Sequence, residues 1–330
     1  MDTLHDLFNY MVSRQNSAKE CKLLGEGSYS LVWDFGEDAY KLTNELSSNN
    51  AFYMQEINNK LQKLGVKVPK INQIDVFKCN SSQVISNLKS FCHNLQGKQY
   101  YKTLNDFSKG FDTNKGNYNF LGIRQQKING VCCFCNEYKK QIALVNKITT
   151  FNDNSNLHPS LIKLLEDELQ SNLQFFNSIS TQNYINFIKD GASILKAGLY
   201  VDNTLQSNFM YAPDGFYFID LDGLKNSEIS ADNNVFDFTI NNICAMVYSK
   251  NTAYSKDLAK QQLMLAEKLI DATNQCLQDE YISQMFTDYK QTDNNLKKLI
   301  NTALQVADEK TAKQYVEKLK IDNSIYNEKN

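Results

Sequence analysis

Residues 22–43, KLLGEGSYSLVWDFGEDAYKLT, decide the fold that we expect for this chain. Short apolar runs alternate with turn residues, which predicts a strand, a glycine turn, a second strand, a tight turn at residues 36–38 and a third strand. Glycines between two strands let the backbone approach phosphate oxygens and direct N–H groups at them. The first turn is therefore a candidate phosphate-binding loop, with a plain hairpin turn as the alternative, because a GxG sequence alone does not separate the two.

A lysine and a glutamate follow this turn at a suggestive spacing. Lys41 lies in the third predicted strand, where its ammonium group can reach phosphates if it points into a cleft. Residues 49–64 carry apolar residues at helical spacing and are followed by Gly65, which predicts a helix. Glu56 flanks the apolar stripe of that helix. Glu56 could pair with Lys41. The alternative for Lys41 is a solvated strand lysine, and the alternative for Glu56 is a solvent-facing glutamate.

A second group of polar residues lies in residues 198–223, GLYVDNTLQSNFMYAPDGFYFIDLDG. We predict a helix over 184–196 that stops at Gly198, and then two strands joined by a turn at residues 213–215. Asn208 leads into the first of these strands and Asp220 follows the second. Because Mg²⁺ binds a few protein oxygens together with phosphates, Asp220 is a candidate metal ligand, and an acidic turn is the alternative.

The order of the predicted elements indicates an α+β fold with two lobes and a cleft between them. Residues 66–77 and 119–128 are predicted to be extended, and helices are predicted over 255–275, 279–305 and 310–320. The predicted organisation is an N-terminal helix at 1–20, a β-rich lobe at 21–130 with a polar insertion at 78–117, a larger helical lobe at 131–321 that holds the hairpins of 198–223, and a tail at 322–330.

The composition is that of an ordinary globular protein. Hydrophobic residues make up 42% of the 330 residues and the net charge is −2, so no overall basic field attracts nucleic acid. No run approaches the roughly 20 apolar residues that a membrane span needs. The eight cysteines match neither a disulfide scaffold nor a paired zinc site, which favours reduced thiols and a cytoplasmic protein.

Taken in order, these segments resemble the protein-kinase-like superfamily. Residues 25–32 resemble its glycine-rich loop, residues 39–41 its nucleotide lysine segment, and the helix that carries Glu56 its partner helix. Residues 68–70 resemble the exit from that helix and residues 122–130 the hinge strand. Three further matches complete the set: residues 202–208 resemble the catalytic loop, residues 220–222 the metal-binding aspartate motif, and Asp237 the buried aspartate that anchors the catalytic loop.

The resemblance implies an ATP- and Mg²⁺-dependent phosphotransferase with a kinase-like fold. The implied nucleotide-binding residues are Gly25, Gly27, Ser28, Ser30, Val32 and Lys41. Lys41, held by Glu56, would contact the phosphates, Asn208 and Asp220 would hold Mg²⁺, and Asp202 would orient or deprotonate the acceptor hydroxyl.

Several positions depart from the family pattern. Ser30 stands where the loop usually has a third glycine, and Tyr200-Val201 replaces the usual His-Arg pair. Family catalytic loops place the asparagine five residues after the aspartate, which here would make Asn203, and not Asp202, the residue in the base position. Asp220 and Asp237 are only 17 residues apart. These departures resemble the trimmed kinases found among bacterial effectors and the small-molecule phosphotransferases.

Three functions follow from the resemblance. The first is a protein Ser/Thr kinase of bacterial effector type, which implies a protein substrate, translocation into a host cell and a host cofactor as activator. The second is a small-molecule kinase resembling the aminoglycoside and choline phosphotransferases, with a small hydroxyl or amine substrate. The third is a pseudokinase that binds a nucleotide or a partner without chemistry.

Overall fold

The structure is a computed structural model of the 330-residue chain. It describes residues 22–26, 30–43, 51–80, 117–132, 159–200, 209–219, 225–226, 240, 243–244, 247, 255–287 and 290–319. The predicted N-terminal helix at 1–20 and the predicted tail at 322–330 lie outside these residues. The chain divides into two compact units, Met1–Val131 with Tyr217–Asp222 and Cys132–Phe216 with Gly223–Asn330.

The first unit contains a five-stranded antiparallel sheet and one helix among its described residues. The strands are β1 (Lys22–Glu26), β2 (Ser30–Phe35), β3 (Asp38–Thr43), β4 (Ile71–Asn80) and β5 (Asn117–Gln126), and helix α1 (Ala51–Lys63) lies between β3 and β4 in the chain. The spatial order is β1-β2-β3-β5-β4. The three strands predicted within residues 22–43 are confirmed, and so is the mixed α+β character of the chain.

The turn between β2 and β3 follows directly from its residues. Gly36 has a φ of 80°, a conformation that glycine adopts without steric cost. Its N–H donates to the Asp34 side chain at 3.0 Å, as in a turn closed by an aspartate. β3 then lies between β2 and β5, and its residues from Ala39 to Thr43 are all buried.

Helix α1 has the predicted place and a clear stop. Met54, Ile57 and Leu61 are buried at helical spacing. At the end, Val66 N–H donates to Leu61 O and Gly65 N–H donates to Gln62 O, both at 3.0 Å, and Gly65 has a φ of 79°. This is the Schellman arrangement that ends a helix at a glycine. Leu64 is 50% exposed, because it lies beyond the last helical residue and leaves the apolar stripe.

The β4–β5 pairing corrects the predicted limits of the polar insertion. The sequence placed residues 78–117 in an insertion, but residues 78–80 and residue 117 belong to strands, where Lys78 pairs with Asn119 and Asn80 with Asn117. β5 also ends at Gln126 and not at 128. Strand pairing decides these residues, since β-propensity is weak compared with the cross-strand context. Residues 81–116 lie outside the described part of the chain.

The second unit is mainly helical in its described residues. Its helices are α2 (Pro159–Ser178), α3 (Thr181–Lys196), α4 (Lys256–Cys276), α5 (Glu280–Thr287), α6 (Lys290–Val306) and α7 (Glu309–Lys318). Five further short strands are described, β6 (Val131–Cys132), β7 (Leu199–Tyr200), β8 (Phe209–Ala212), β9 (Gly215–Phe218) and β10 (Lys225–Asn226). Of these, Val131 and the end of β9 from Tyr217 belong to the first unit. The five strands form two small sheets, one ordered β10-β7 and the other β6-β8-β9.

Helix α3 confirms the prediction made for residues 184–196 and begins slightly earlier. The Ser180 side chain accepts a hydrogen bond from Asn183 N–H at 3.2 Å, as an N-cap does. Gly198, with a φ of 73°, follows the end of the helix. Phe187 on α3 stacks on Phe216 of β9 with ring centroids 4.3 Å apart, so the β8–β9 hairpin shares an aromatic core with this helix.

One predicted helix is wrong. The sequence favoured a single helix over 279–305, and the structure has two, α5 and α6. Two amphipathic segments in succession repeat the same spacing, so apolar periodicity cannot locate a break between them. The apolar faces of α4, α6 and α7 form a common core in which Leu263, Ala303 and Ala312 are completely buried. None of the described helices combines the length and apolar character needed to cross a bilayer.

Candidate functional site

The described part of the predicted phosphate loop is the β1–β2 pair. Gly25 pairs with Val32 and residue 26 pairs with Leu31, with an irregularity between residues 23 and 25. Gly27 and Ser28 lie outside the described residues. A Cβ atom built on Gly25 meets nothing within 4 Å, and the φ of Gly25 is not positive. Neither packing nor a positive φ therefore requires glycine at position 25; the glycine lies at the irregularity of the β1–β2 pairing and leaves open space beside the strand.

Lys41 lies on β3 in a row of laterally paired residues. It pairs with Val32 on β2 and with Ile123 on β5, while Val32 pairs in turn with Gly25 on β1. Directly paired residues of antiparallel strands present their side chains on one face. This face therefore carries, side by side, the space left by a glycine, an apolar side chain, an ammonium group and a second apolar side chain. Ser30, also named from the sequence, pairs with Thr43 one step along the same face.

The burial of Lys41 is unusual for a lysine. Its relative exposure is 5%, and its neighbour Ile123 is fully buried. Lysines are almost never buried to this extent unless their charge is compensated, because removing an ammonium group from water is costly. The predicted alternative of a solvated strand lysine is therefore wrong. A buried ammonium group on a sheet face is suited to holding an anion such as a phosphate.

Glu56 lies on α1, and its side chain is exposed. The ion pairs of the described residues do not include one between Glu56 and Lys41. Glu56 acts instead on Tyr53 of the same helix. Burial of the Tyr53 side chain and, second, the negative charge of Glu56 raise the pKa of Tyr53. Glu56 is thus solvent-facing, as the alternative for it predicted, and its pairing with Lys41 stays a prediction.

In the sequence, the β8–β9 hairpin stands between the predicted catalytic loop and the predicted metal-binding aspartates. Asp202, Asn203, Asn208, Asp220, Asp222 and Asp237 are all outside the described residues. The β8–β9 hairpin between Asn208 and Asp220 is described, and its turn at Pro213-Asp214 confirms the turn predicted there. Phe209 and Ile219 are the described residues nearest in sequence to Asn208 and Asp220. Within the described ranges, no three His, Cys, Asp or Glu side chains are grouped to hold a metal ion.

The end of β9 is joined to the chain segment that follows α1. Phe218 N–H donates to Lys67 O at 3.0 Å, and the Lys67 ammonium lies 5.5 Å from the centre of the Tyr217 ring. All three residues belong to the first unit. The residues just before Asp220 are therefore held by the segment just after the helix that carries Glu56.

Sequence reasoning missed two residues of this arrangement. Asn58 is completely buried, and its side-chain amide bonds to the backbone on both sides of residue 70. It donates to Pro69 O at 2.8 Å and accepts from Ile71 N–H at 3.2 Å. Its position between Met54 and Leu61 on the apolar stripe was the available signal, because a polar residue there needs a buried partner. For Lys67 no signal existed, since its contacts are with residues far away in the sequence.

The comparisons with known proteins returned no relative: no protein-family model and no curated protein sequence matches the chain.

Proposed function

We propose that the chain is an ATP- and Mg²⁺-dependent phosphotransferase with a bilobal protein-kinase-like fold, and that it acts as a protein Ser/Thr kinase of bacterial effector type. One observation carries the proposal. The buried ammonium group of Lys41 lies on the third strand of the sheet, one strand away from Val32 and two from Gly25, on a common face.

This arrangement supports nucleotide binding for a physical reason. In protein kinases a glycine-rich loop covers the phosphates and a lysine on the third strand contacts them. Here the open space beside Gly25 admits a ligand, the partly exposed Val32 offers apolar surface, and Lys41 next to it offers positive charge. A nucleotide has both an apolar, planar base and an anionic phosphate chain, so it matches the apolar surface and the positive charge.

The remaining roles are assigned from the sequence. Gly27, Ser28 and Ser30 complete the loop over the phosphates, and Glu56 holds Lys41. Asn208 and Asp220 hold the Mg²⁺ ion, which supplies neutralisation of phosphate charge. Asp202 orients the acceptor hydroxyl and accepts its proton. Phosphoryl transfer depends mainly on positioning and charge neutralisation, so this reduced set of residues is sufficient.

The test is incubation of the full-length protein with γ-labelled ATP and Mg²⁺, with and without a host-cell extract. Label on the chain itself or on an extract protein is the expected result, and label on a metabolite would assign a small-molecule kinase. Melting is measured in parallel with MgATP. At about 100 times Kd a ligand adds roughly 2.7 kcal/mol to the free energy of unfolding. If no label is transferred even with the extract present, and MgATP does not shift the melting temperature, the proposal is overturned.

A further inference from the structure

One face of the five-stranded sheet is apolar across β2 and β3 and is closed to solvent. Four residues form it, in two directly paired sets, Leu31 with Leu42 and Trp33 with Tyr40. We call these four residues the back face. None of them is more than 4% exposed. Side chains alternate between the two sides of a strand, so Lys41 and Thr43 point to the opposite side of β3, and they are 5% and 0% exposed. β3 is therefore covered on both sides.

Helix α1 does not account for the cover over the back face. The Asn58 side chain bonds to Pro69 O and Ile71 N–H, backbone groups at the start of β4 that lie in the plane of the sheet, so α1 borders β4. β4 is the last strand in the order, three strand spacings or about 14 Å from β2. Arg124 of β5 lies over the Tyr40 ring on the same side of the sheet, and its side chain is still 36% exposed. Burial on this side thus increases with distance from α1, and a second segment of the chain closes the back face.

The segment that precedes β1 joins the sheet beside this face. Leu23 of β1 pairs with Trp33, so the residues before β1 start one strand spacing, about 4.8 Å, from the back face. Within residues 1–20, which lie outside the described part of the chain, four apolar residues recur at the spacing i, i+3, i+4, i+7 of one helix face. They are Leu4, Leu7, Phe8 and Met11. A helix over residues 4–11 is about 12 Å long, enough to lie across β1, β2 and β3.

Residues 81–116 are another stretch of the first unit outside the described residues, and they join the sheet at a different place. Asn80 and Asn117, the strand residues next to them, pair with each other. Leu121 is the first residue of β5 that pairs with β3, so Asn117 lies four residues, or about 13 Å, beyond the end of that pairing. The N-terminal segment therefore reaches Trp33 over the shorter path.

We propose that residues 1–20 dock on the back face as a helix, with Leu4, Leu7, Phe8 and Met11 against its four side chains. The back face carries no charged side chain, and neither does this side of the predicted helix, so the two surfaces match. The docked helix closes the side of the sheet away from Lys41, and a ligand of the sheet then approaches from the Lys41 side. The inference does not rest on the proposed function, because it concerns the opposite side of the sheet.

Trp33 is the one tryptophan of the chain, so tryptophan fluorescence of the full-length protein reports the back face directly. Combining Leu7→Ser with Phe8→Ser should weaken docking at least about a hundredfold, because two apolar side chains lose their burial. Trp33 emission should then move to longer wavelength, and its quenching by acrylamide should rise toward that of the denatured protein. The matched control combines Asn9→Ala with Ser13→Ala on the opposite side of the same predicted helix, and it should leave both signals unchanged. Unchanged emission and quenching in the first variant would overturn the inference.

A cross-link in the otherwise unchanged protein covers the case in which that variant unfolds. The photoreactive residue p-benzoylphenylalanine replaces Phe8 or, as the matched control, Asn9, and mass spectrometry identifies the peptides that are linked after irradiation. From position 8 we expect links within one chain to residues 30–43, and from position 9 few of them. Links from position 8 to residues 81–116 or to the second unit would contradict docking on the back face. Links between two chains, seen as a doubled mass, would overturn the inference in favour of a second copy.

Discussion

Val32 and Lys41 occupy directly paired positions of β2 and β3, so their side chains lie next to each other on one face of the sheet. Val32 is half-buried and Lys41 is almost fully buried. In the proposed function, this pair would face the nucleotide, with Lys41 toward its phosphates.

Lys41→Met should abolish the stabilisation by MgATP and the transfer of phosphate, since methionine keeps the aliphatic stem and removes the charge. The measurement is the melting temperature with and without MgATP, together with circular dichroism to verify the fold. Lys127→Met is the control. It removes an ion pair with Asp34 at 2.8 Å, which contributes about 0.2–1 kcal/mol, and it should leave the MgATP effect intact. A full MgATP shift in Lys41→Met would exclude Lys41 as the phosphate lysine.

Gly25→Ala should leave the fold unchanged and weaken MgATP binding about tenfold, because the added methyl group fills space that is open in the ligand-free protein. Gly36→Ala should lower the stability of the fold and leave MgATP binding unchanged. Gly36 has a φ of 80°, so alanine there is strained by about 1 kcal/mol or more, while nucleotide affinity should stay the same. Chemical denaturation and nucleotide titration of both variants separate the two effects. Unaltered affinity in Gly25→Ala would contradict a phosphate loop at β1–β2.

Asp220→Ala should abolish transfer and make ATP binding independent of Mg²⁺, because it removes a ligand of the metal ion. Asp222→Ala, two residues away, serves as the matched control and should remain active. The measurements are the transfer rate and the ATP affinity with Mg²⁺ or with EDTA. An inactive Asp222→Ala beside a fully active Asp220→Ala would show that the metal motif is displaced by two residues.

Asp202→Asn should keep MgATP affinity and lose about 10²- to 10⁴-fold in turnover, because an amide can orient a hydroxyl but cannot accept its proton. Asn203→Ala should have a mild effect. Rates and affinities of the two variants, measured side by side, decide between the neighbouring residues. The opposite pattern would assign the catalytic role to Asn203.

Alkaline pH should destabilise the protein through Cys244. Burial raises the pKa of its thiol from 9.0 to about 12. The folded state then keeps a proton that the unfolded state releases above pH 9, so the free energy of unfolding falls between pH 9 and about 12. Cys244→Ala should reduce this fall in denaturation experiments across that range; the buried Cys276 thiol, whose pKa burial raises to about 11, contributes a further part of it. Peptide mapping after treatment with a thiol reagent at pH 8 should find Cys244 unmodified until denaturant is added.

The local elements of this chain were predictable because their signals are local. Gly65 and Gly198 both have positive φ and follow the helices that their positions predicted. The turn at Gly36 and the turn at Pro213-Asp214 were likewise evident from a few neighbouring residues. What local signals could not give was the position of β5 between β3 and β4, which depends on pairing between residues distant in the chain.

The candidate site was predictable in its chemistry but not in its environment. The residue type and spacing of Lys41 indicated a phosphate ligand, whereas its burial depends on Val32 and Ile123 on the neighbouring strands. Asn58 and Lys67 show the same limit. Their partners, the backbone around Pro69 and the end of β9, become neighbours only when the chain has folded.

The order β1-β2-β3-β5-β4 also has a consequence for synthesis of the protein on the ribosome. β3 leaves the ribosome early, and its neighbour β5 is complete only when Gln126 has been added. Until then, the edge of β3 that later pairs with β5 lacks that partner. Tyr40 and Leu42 add apolar surface to this nascent strand, and an unpaired apolar edge promotes association between chains. A chain terminated before residue 117 should therefore be prone to aggregate, and a chaperone that covers β3 during translation should raise the yield of folded protein.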